Sequence, residues 1–256
     1  MHRRQGLWTF IIVVVAAMAA AAFAGVGTRD SRGGGDGDEV TLTSDSKLSG
    51  SRGRIINGKL VDEVTAKTRY PGLVALLDSR YAGSPNGGFF CGGTLVAPTV
   101  VLTAAHCADA TTVASVRVLA GTTWLDQTDR AKSQLITGVK IVSHPGWNKS
   151  NLQGGNDVAV ITLSKAVPAN IATPMQAVGP GEDNIWGAGR GVTQDPARGP
   201  YLVGWGDTVE GIGKLMPKYP NDINMQIMPD TSCPAFFGSA FTAANNMCAG
   251  GERTDD

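Results

Sequence analysis

The residues of this sequence that could do chemistry begin with four cysteines, Cys91, Cys107, Cys233 and Cys248, and with His106 and His144 between them. His106 adjoins Cys107, so one reading is an ion held by Cys91, His106, Cys107 and His144. The spacing argues against it. There is no C-x-x-C pair, and an adjacent His and Cys rarely aim at one ion; no metal is expected. An even cysteine count behind an export signal implies disulfides instead. Four cysteines allow three pairings. In the local one, Cys91–Cys107 and Cys233–Cys248, the bridges enclose 15 and 14 residues. Closing loops of that size is worth roughly 3 kcal/mol each in the chain-entropy model. Asp157 opens the apolar run Val158-Ala159-Val160-Ile161. Taken singly, a His beside a Cys is usually structural, and an Asp at the head of a strand is usually a turn residue. His144 before Pro145-Gly146 reads as a loop residue, and Asn148-Lys149-Ser150 is a glycosylation sequon for a host that glycosylates.

The elements that must position these residues are short strands. Leu73–Leu77, Gly93–Val96, Val100–Thr103, Val116–Ala120, Gln134–Val142 and Val158–Leu163 are rich in Val, Ile, Leu and Thr. Turn residues separate them, such as Gly83 to Gly87, Ala97-Pro98 and His144-Pro145-Gly146. No segment there keeps an apolar 3.6-residue period for four turns; Ala104–Ala110 reads as a short helical turn. The second half follows more loosely, with strands at Tyr201–Trp205 and Asn224–Met228 and a short helix at Asp230–Phe237. Gly179 to Pro200, rich in Gly and Pro, reads as a long surface loop.

Composition agrees. The 34 glycines among 256 residues are about twice the usual share, and charged residues are sparse. That suits many turns between strands and disfavours coiled coils and long helices. With 22 basic and 22 acidic side chains the net charge is zero, which excludes nucleic-acid binding by bulk electrostatics. An all-β barrel or sandwich is predicted. Before it come two other segments. His2, Arg3 and Arg4 precede an uncharged run from Leu7 to Ala24 that ends in Ala22-Phe23-Ala24. Residues 1–24 therefore read as a cleaved export signal rather than a membrane anchor. Residues 25–54 are Gly-, Asp-, Ser- and Arg-rich and read as a disordered pro-segment or linker. The product is expected to be secreted, touching membrane only through its signal.

Five motifs, in order, give the rest of the chain a family. Arg54-Ile55-Ile56-Asn57-Gly58 resembles the activation junction of a trypsin-like serine protease zymogen. Cys91-Gly92-Gly93-Thr94-Leu95, followed by Leu102-Thr103-Ala104-Ala105-His106-Cys107, resembles the segment that holds the catalytic histidine. Asn156-Asp157-Val158-Ala159-Val160-Ile161 resembles the segment that holds the catalytic aspartate. Gly204-Trp205-Gly206 resembles a strand motif of the second barrel, and Met247-Cys248-Ala249-Gly250-Gly251 the approach to the specificity pocket.

The resemblance implies two antiparallel six-stranded β-barrels over residues 55–256, with the second incomplete. It implies His106 as general base and later acid, because imidazole titrates near neutrality, and Asp157 as the carboxylate that orients it. It selects the pairing Cys91–Cys107 and Cys233–Cys248, the first clamping the loop of His106. It implies activation by another protease after Arg54, freeing Ile55. Asp256, less clearly Asp255, falls near the acidic base of the primary pocket, which implies peptide substrates cleaved after Arg or Lys. No cofactor is expected. After Asp157 the only serines are Ser164, Ser232 and Ser239, none within Gly-Asp-Ser-Gly-Gly. The expectation is a chain cut short of its nucleophile, its oxyanion-hole amides and the carboxylate that would receive the Ile55 amine, and so inactive as it stands. The alternative expectation is a non-catalytic secreted protein that keeps the fold for binding or regulation.

Overall fold

The computed structural model describes residues 55, 58–83, 87–121, 124–125, 133–151, 154–177, 201–206, 218–227, 229–231, 233–238, 241–243, 246 and 249–250. The expected export signal, the pro-segment with Arg54, the loop from 179 to 200, Cys248 and Asp256 lie outside the described residues. In chain order the elements are β1 (Lys59–Leu60), α1 (Glu63–Arg69), β2 (Leu73–Asp78), β3 (Phe89–Ala97), β4 (Val100–Thr103), α2 (Ala105–Asp109), β5 (Val116–Ala120), β6 (Gln134–Ser143) and β7 (Ala159–Leu163). Then follow β8 (Tyr201–Gly204), β9 (Asn221–Asn224), β10 (Gln226–Ile227), α3 (Cys233–Phe237) and β11 (Ala249–Gly250).

Six strands close into an antiparallel barrel in the order β2-β3-β4-β7-β6-β5. The side-chain period of two explains its sequence. On β6, Ile136 and Gly138 point inward while Leu135, Thr137 and Val139 face out. At Gly138 a Cβ would lie 2.6 Å from Val116 Cγ1, so the interior has no room for a larger residue there. β2 is buried almost throughout, because its two faces meet two different clusters. Val74 and Leu76 fill the barrel with Leu95, Val118 and Ile161. Ala75 and Leu77 pack outward against Leu119, Leu125 and Trp205.

In the second half β1, β9 and β8 form one three-stranded sheet and β10 pairs with β11. No second closed barrel is seen among the described residues. β1 belongs to this half by pairing, Lys59 opposite Asp222 and Leu60 opposite Asn221. Behind it, Tyr70 donates its hydroxyl to Asp222 Oδ2 at 2.6 Å. Burial, with that hydrogen bond, pushes the Tyr70 phenol well above its ordinary value. Arg69 lies 3.5 Å from the same carboxylate and stacks 4.6 Å over the Tyr201 ring.

Several boundaries differ from expectation. β3 starts at Phe89 rather than Gly93, because its pairing with β2 continues to Leu77 opposite Phe89. The strand expected at 224–228 is two, β9 and β10. β9 begins earlier, on the polar Asn221-Asp222, which are buried because Tyr70 and Arg69 partner the carboxylate. α1 has no counterpart in the sequence reading. At seven residues it is too short to show a period. Its start is marked instead by Asp62, whose side chain accepts from Thr65 N at 2.6 Å.

Asp78 ends β2 with only 2% of its surface exposed. Its carboxylate accepts from Arg80 Nε at 2.9 Å and NH2 at 2.6 Å, from Arg80 N at 2.9 Å, and from the hydroxyls of Thr111 at 2.9 Å and Ser115 at 3.1 Å. The Arg80 guanidinium foremost holds the carboxyl well below the usual carboxylate range, with burial opposing it and the Arg80 backbone and the two hydroxyls assisting. Asp78→Asn is expected to lower stability by about 2 kcal/mol at pH 7, since charge-assisted bonds are lost and two buried hydroxyls lose their acceptor. A depressed folded pKa gives stability that is present above the unfolded value, near 3.9, and lost as pH falls through the folded one. Urea midpoints at pH 7 and pH 3 test this: the gap between wild type and variant should narrow in acid.

Candidate active site

β4 and β7 are neighbours in the barrel, with Thr103 opposite Ala159. The chain leaving β4 and the chain entering β7 therefore emerge at one end. His106 lies three residues after Thr103, and Asp157 two before Ala159, so pairing alone brings them together. α2 carries His106. It spans five residues, and its N-cap Ala104 offers no side-chain acceptor, so its own hydrogen bonds cannot hold it. The Cys91–Cys107 disulfide ties it to β3, with Cα atoms 6.1 Å apart.

The Asp157 carboxylate meets His106 twice. Oδ1 accepts the His106 backbone N–H at 2.8 Å, and Oδ2 lies 2.6 Å from ring Nδ1. With the carboxylate ionised, Nδ1 must carry the proton, which leaves the Nε2 lone pair free to take another. Both side chains are 21% exposed, so the pair is shielded yet reachable. Nε2 passes 3.4 Å from Cys107 Sγ. Asn156, just before the aspartate, has φ of 60°, unusual for a residue other than Gly. That turn aims Asp157 back towards α2.

The adjacent His and Cys thus do converge, against the reasoning from spacing. Cys91, His106 and Cys107 place their ligand atoms within 4.8 Å of one another. Both sulfurs are spent in the disulfide, so neither is a thiolate that could hold an ion. His144 is turned to other work, its Nδ1 accepting from Gly146 N at 3.1 Å.

Of the other expected site residues, Ile55 is 4% exposed. A Cβ on Gly58 would fall 2.5 Å from Ile55 Cγ2 and one on Gly204 3.7 Å from its Cδ1, so Ile55 lies beside Gly58, just before β1, and near Gly204 at the end of β8. Cys233 is fully buried and disulfide-bonded; Cys248, its expected partner, lies outside the described residues, as do Arg54 and Asp256.

Sequence reasoning passed over Trp147. Its indole N–H donates to Asp109 Oδ2, on the last residue of α2, at 2.9 Å. An aromatic residue just after a His-Pro-Gly turn was the available signal.

A family model described as Trypsin matches residues 65–256. Human chymotrypsin-like elastase family member 1 is 34% identical over 166 residues, which cover 63% of this chain and 58% of that protein. The chain thus spans less than two thirds of that relative's length. Trypsin I-P1 of Gallus gallus is 29% identical over 176 residues, covering 66% of this chain and 61% of the relative. Among solved structures, neuropsin, described as a serine protease expressed in the limbic system of mouse brain, superposes with a TM-score of 0.57. The identity is 21%, over 77% of this chain and 75% of that one. Among the described residues no helix is long and apolar enough to cross a membrane.

Proposed function

The chain belongs to the trypsin family of serine proteases, and on that premise we propose that it is the zymogen of a secreted endopeptidase cleaving after Arg or Lys. The observation that carries this reading is the double contact of Asp157 with His106, at 2.8 Å and 2.6 Å. Cutting after Arg54 frees the amine of Ile55. A serine hydroxyl is a poor nucleophile until a base takes its proton. His106 Nε2 takes it as the serine oxygen attacks the scissile carbonyl. Asp157 stabilises the imidazolium, which then returns the proton to the leaving amine. Water repeats the sequence on the acyl-enzyme. Asp256 supplies the negative charge for a basic side chain, and the Cys233–Cys248 bridge supports its loop.

These 256 residues hold no Gly-Asp-Ser-Gly-Gly, so a test of this reading supplies that segment. A second reading is a non-catalytic secreted protein that binds rather than cuts. One experiment separates them. The chain is extended with the family's serine-bearing segment, treated with trypsin, sequenced from its N-terminus and assayed on Arg- and Phe-ended chromogenic peptides. A new terminus at Ile55 with Arg-directed turnover that His106→Ala abolishes is expected. A properly folded extended chain with no turnover would favour the binding protein, and turnover confined to Phe would reject Asp256 as the pocket base.

A further inference from the structure

We propose that Trp147 is a positioning residue, holding α2, and with it His106, against the segment that presents Asp157. The inference rests on reading those two as the reacting pair. α2 is short and has no side-chain cap at its start, so its placement depends on outside ties. Trp147 supplies one at its far end through Asp109, three residues beyond His106. Its ring also packs on the cluster of Ala105, Ala108 and Ala159, two of them from α2 and one from the start of β7.

The turn that carries Trp147 is itself bound to the aspartate segment. His144 N donates to Val158 O at 2.8 Å, and Trp147 N closes the turn on His144 O at 2.9 Å. Asn156 Nδ2 donates to Gly146 O at 3.4 Å. A Cβ at Gly146 would lie 2.9 Å from that Nδ2, so a larger residue there would push the Asn156 side chain aside. One turn therefore grips both carriers: Asn156 and Val158 flank Asp157 on one side, and Asp109 ends the helix of His106 on the other. A displacement of either carrier would open the 2.6 Å contact between ring and carboxylate, which depends on both.

The test uses the full chain and needs no turnover, so it is separable from the protease reading. The His106 ring N–H, hydrogen-bonded to a carboxylate, gives a low-field proton NMR signal whose exchange with water reports the closure of the pair. Trp147→Phe keeps a ring and removes the donor. Asp109→Ala removes the acceptor at an exposed position, where folding is least at risk. Both are expected to speed exchange of that proton roughly tenfold, the effect of losing one charge-assisted hydrogen bond. Asp109→Asn, which keeps an acceptor oxygen, should restore most of the protection. The thermal midpoint of Asp109→Ala should stay within a few degrees of wild type. Unchanged exchange in Asp109→Ala overturns the proposal, as does faster exchange only in step with a matching fall in global stability. Failure of the extended chain to cut peptides, with the low-field signal intact, counts against the protease reading alone.

Discussion

Asp157→Asn, placed in a chain extended with the family's serine-bearing segment, is expected to lower kcat by about 10⁴-fold with little change in KM. The geometry gives the reason. Asp157 accepts two hydrogen bonds from one residue, from the His106 backbone N–H on Oδ1 and the ring Nδ1–H on Oδ2. An asparagine has one acceptor and one donor end. The backbone N–H retains the oxygen, so the amide NH2 faces Nδ1. The ring must then accept at Nδ1 and carry its proton on Nε2, the atom that should receive the serine proton. Size and packing are almost unchanged, so the loss falls on turnover rather than binding. Steady-state kinetics on an Arg-ended chromogenic peptide measure it. A loss under tenfold would show that the imidazole does not depend on this carboxylate for its tautomer.

Replacing both Cys91 and Cys107 by serine is expected to lower the unfolding free energy by about 3 kcal/mol, from the regained freedom of a loop of this length in the unfolded chain. The effect reaches the site as well. α2 has no side-chain cap at its start, and Cys107 is the residue that fastens it to β3. With the bridge gone, the helix keeps the two Asp157 hydrogen bonds and the Trp147–Asp109 bond, all of them to partners that are at least partly exposed. The His106 ring proton should therefore lose more protection than amides in the barrel interior at Val118 or Ile161. Urea unfolding and amide exchange measure the two parts. A stability loss below about 1 kcal/mol would mean that the reduced loop remains ordered in the unfolded chain or that the bridge is strained in the folded one.

The strands that could be read directly were those whose pattern stays local. Val100–Thr103 and Val116–Ala120 appear with the limits their residues suggest, because each is a short segment rich in Val and Leu. The placement of α2 was legible from a short Ala-rich segment for the same reason. α1 was not, since seven residues anchored by one Asp62 cap show no period. β9 was not either, since Asn221 and Asp222 carry no strand propensity. Asp222 is accommodated by Tyr70 and Arg69, which lie some 150 positions away in the chain; the Tyr70 contact has a separation of 152.

By itself, then, the sequence determined the residue types, the short-strand architecture and the motifs that identify the family. It also determined what chemistry those types permit: an imidazole to move protons, a carboxylate to orient it, and sulfurs that could either cross-link or bind an ion. Only the tertiary structure decided which of these meet. His106 and Asp157 stand 51 residues apart and touch because β4 and β7 pair within a closed barrel. The same closure set the fate of Cys91 and Cys107, and it brought the turn at Trp147 onto the helix of His106. Periodicity, turn chemistry and capping act over a few neighbouring residues and can be read in a short window. Strand pairing acts across the whole barrel, where the burial of every strand is satisfied at once, and no window of the sequence contains that condition.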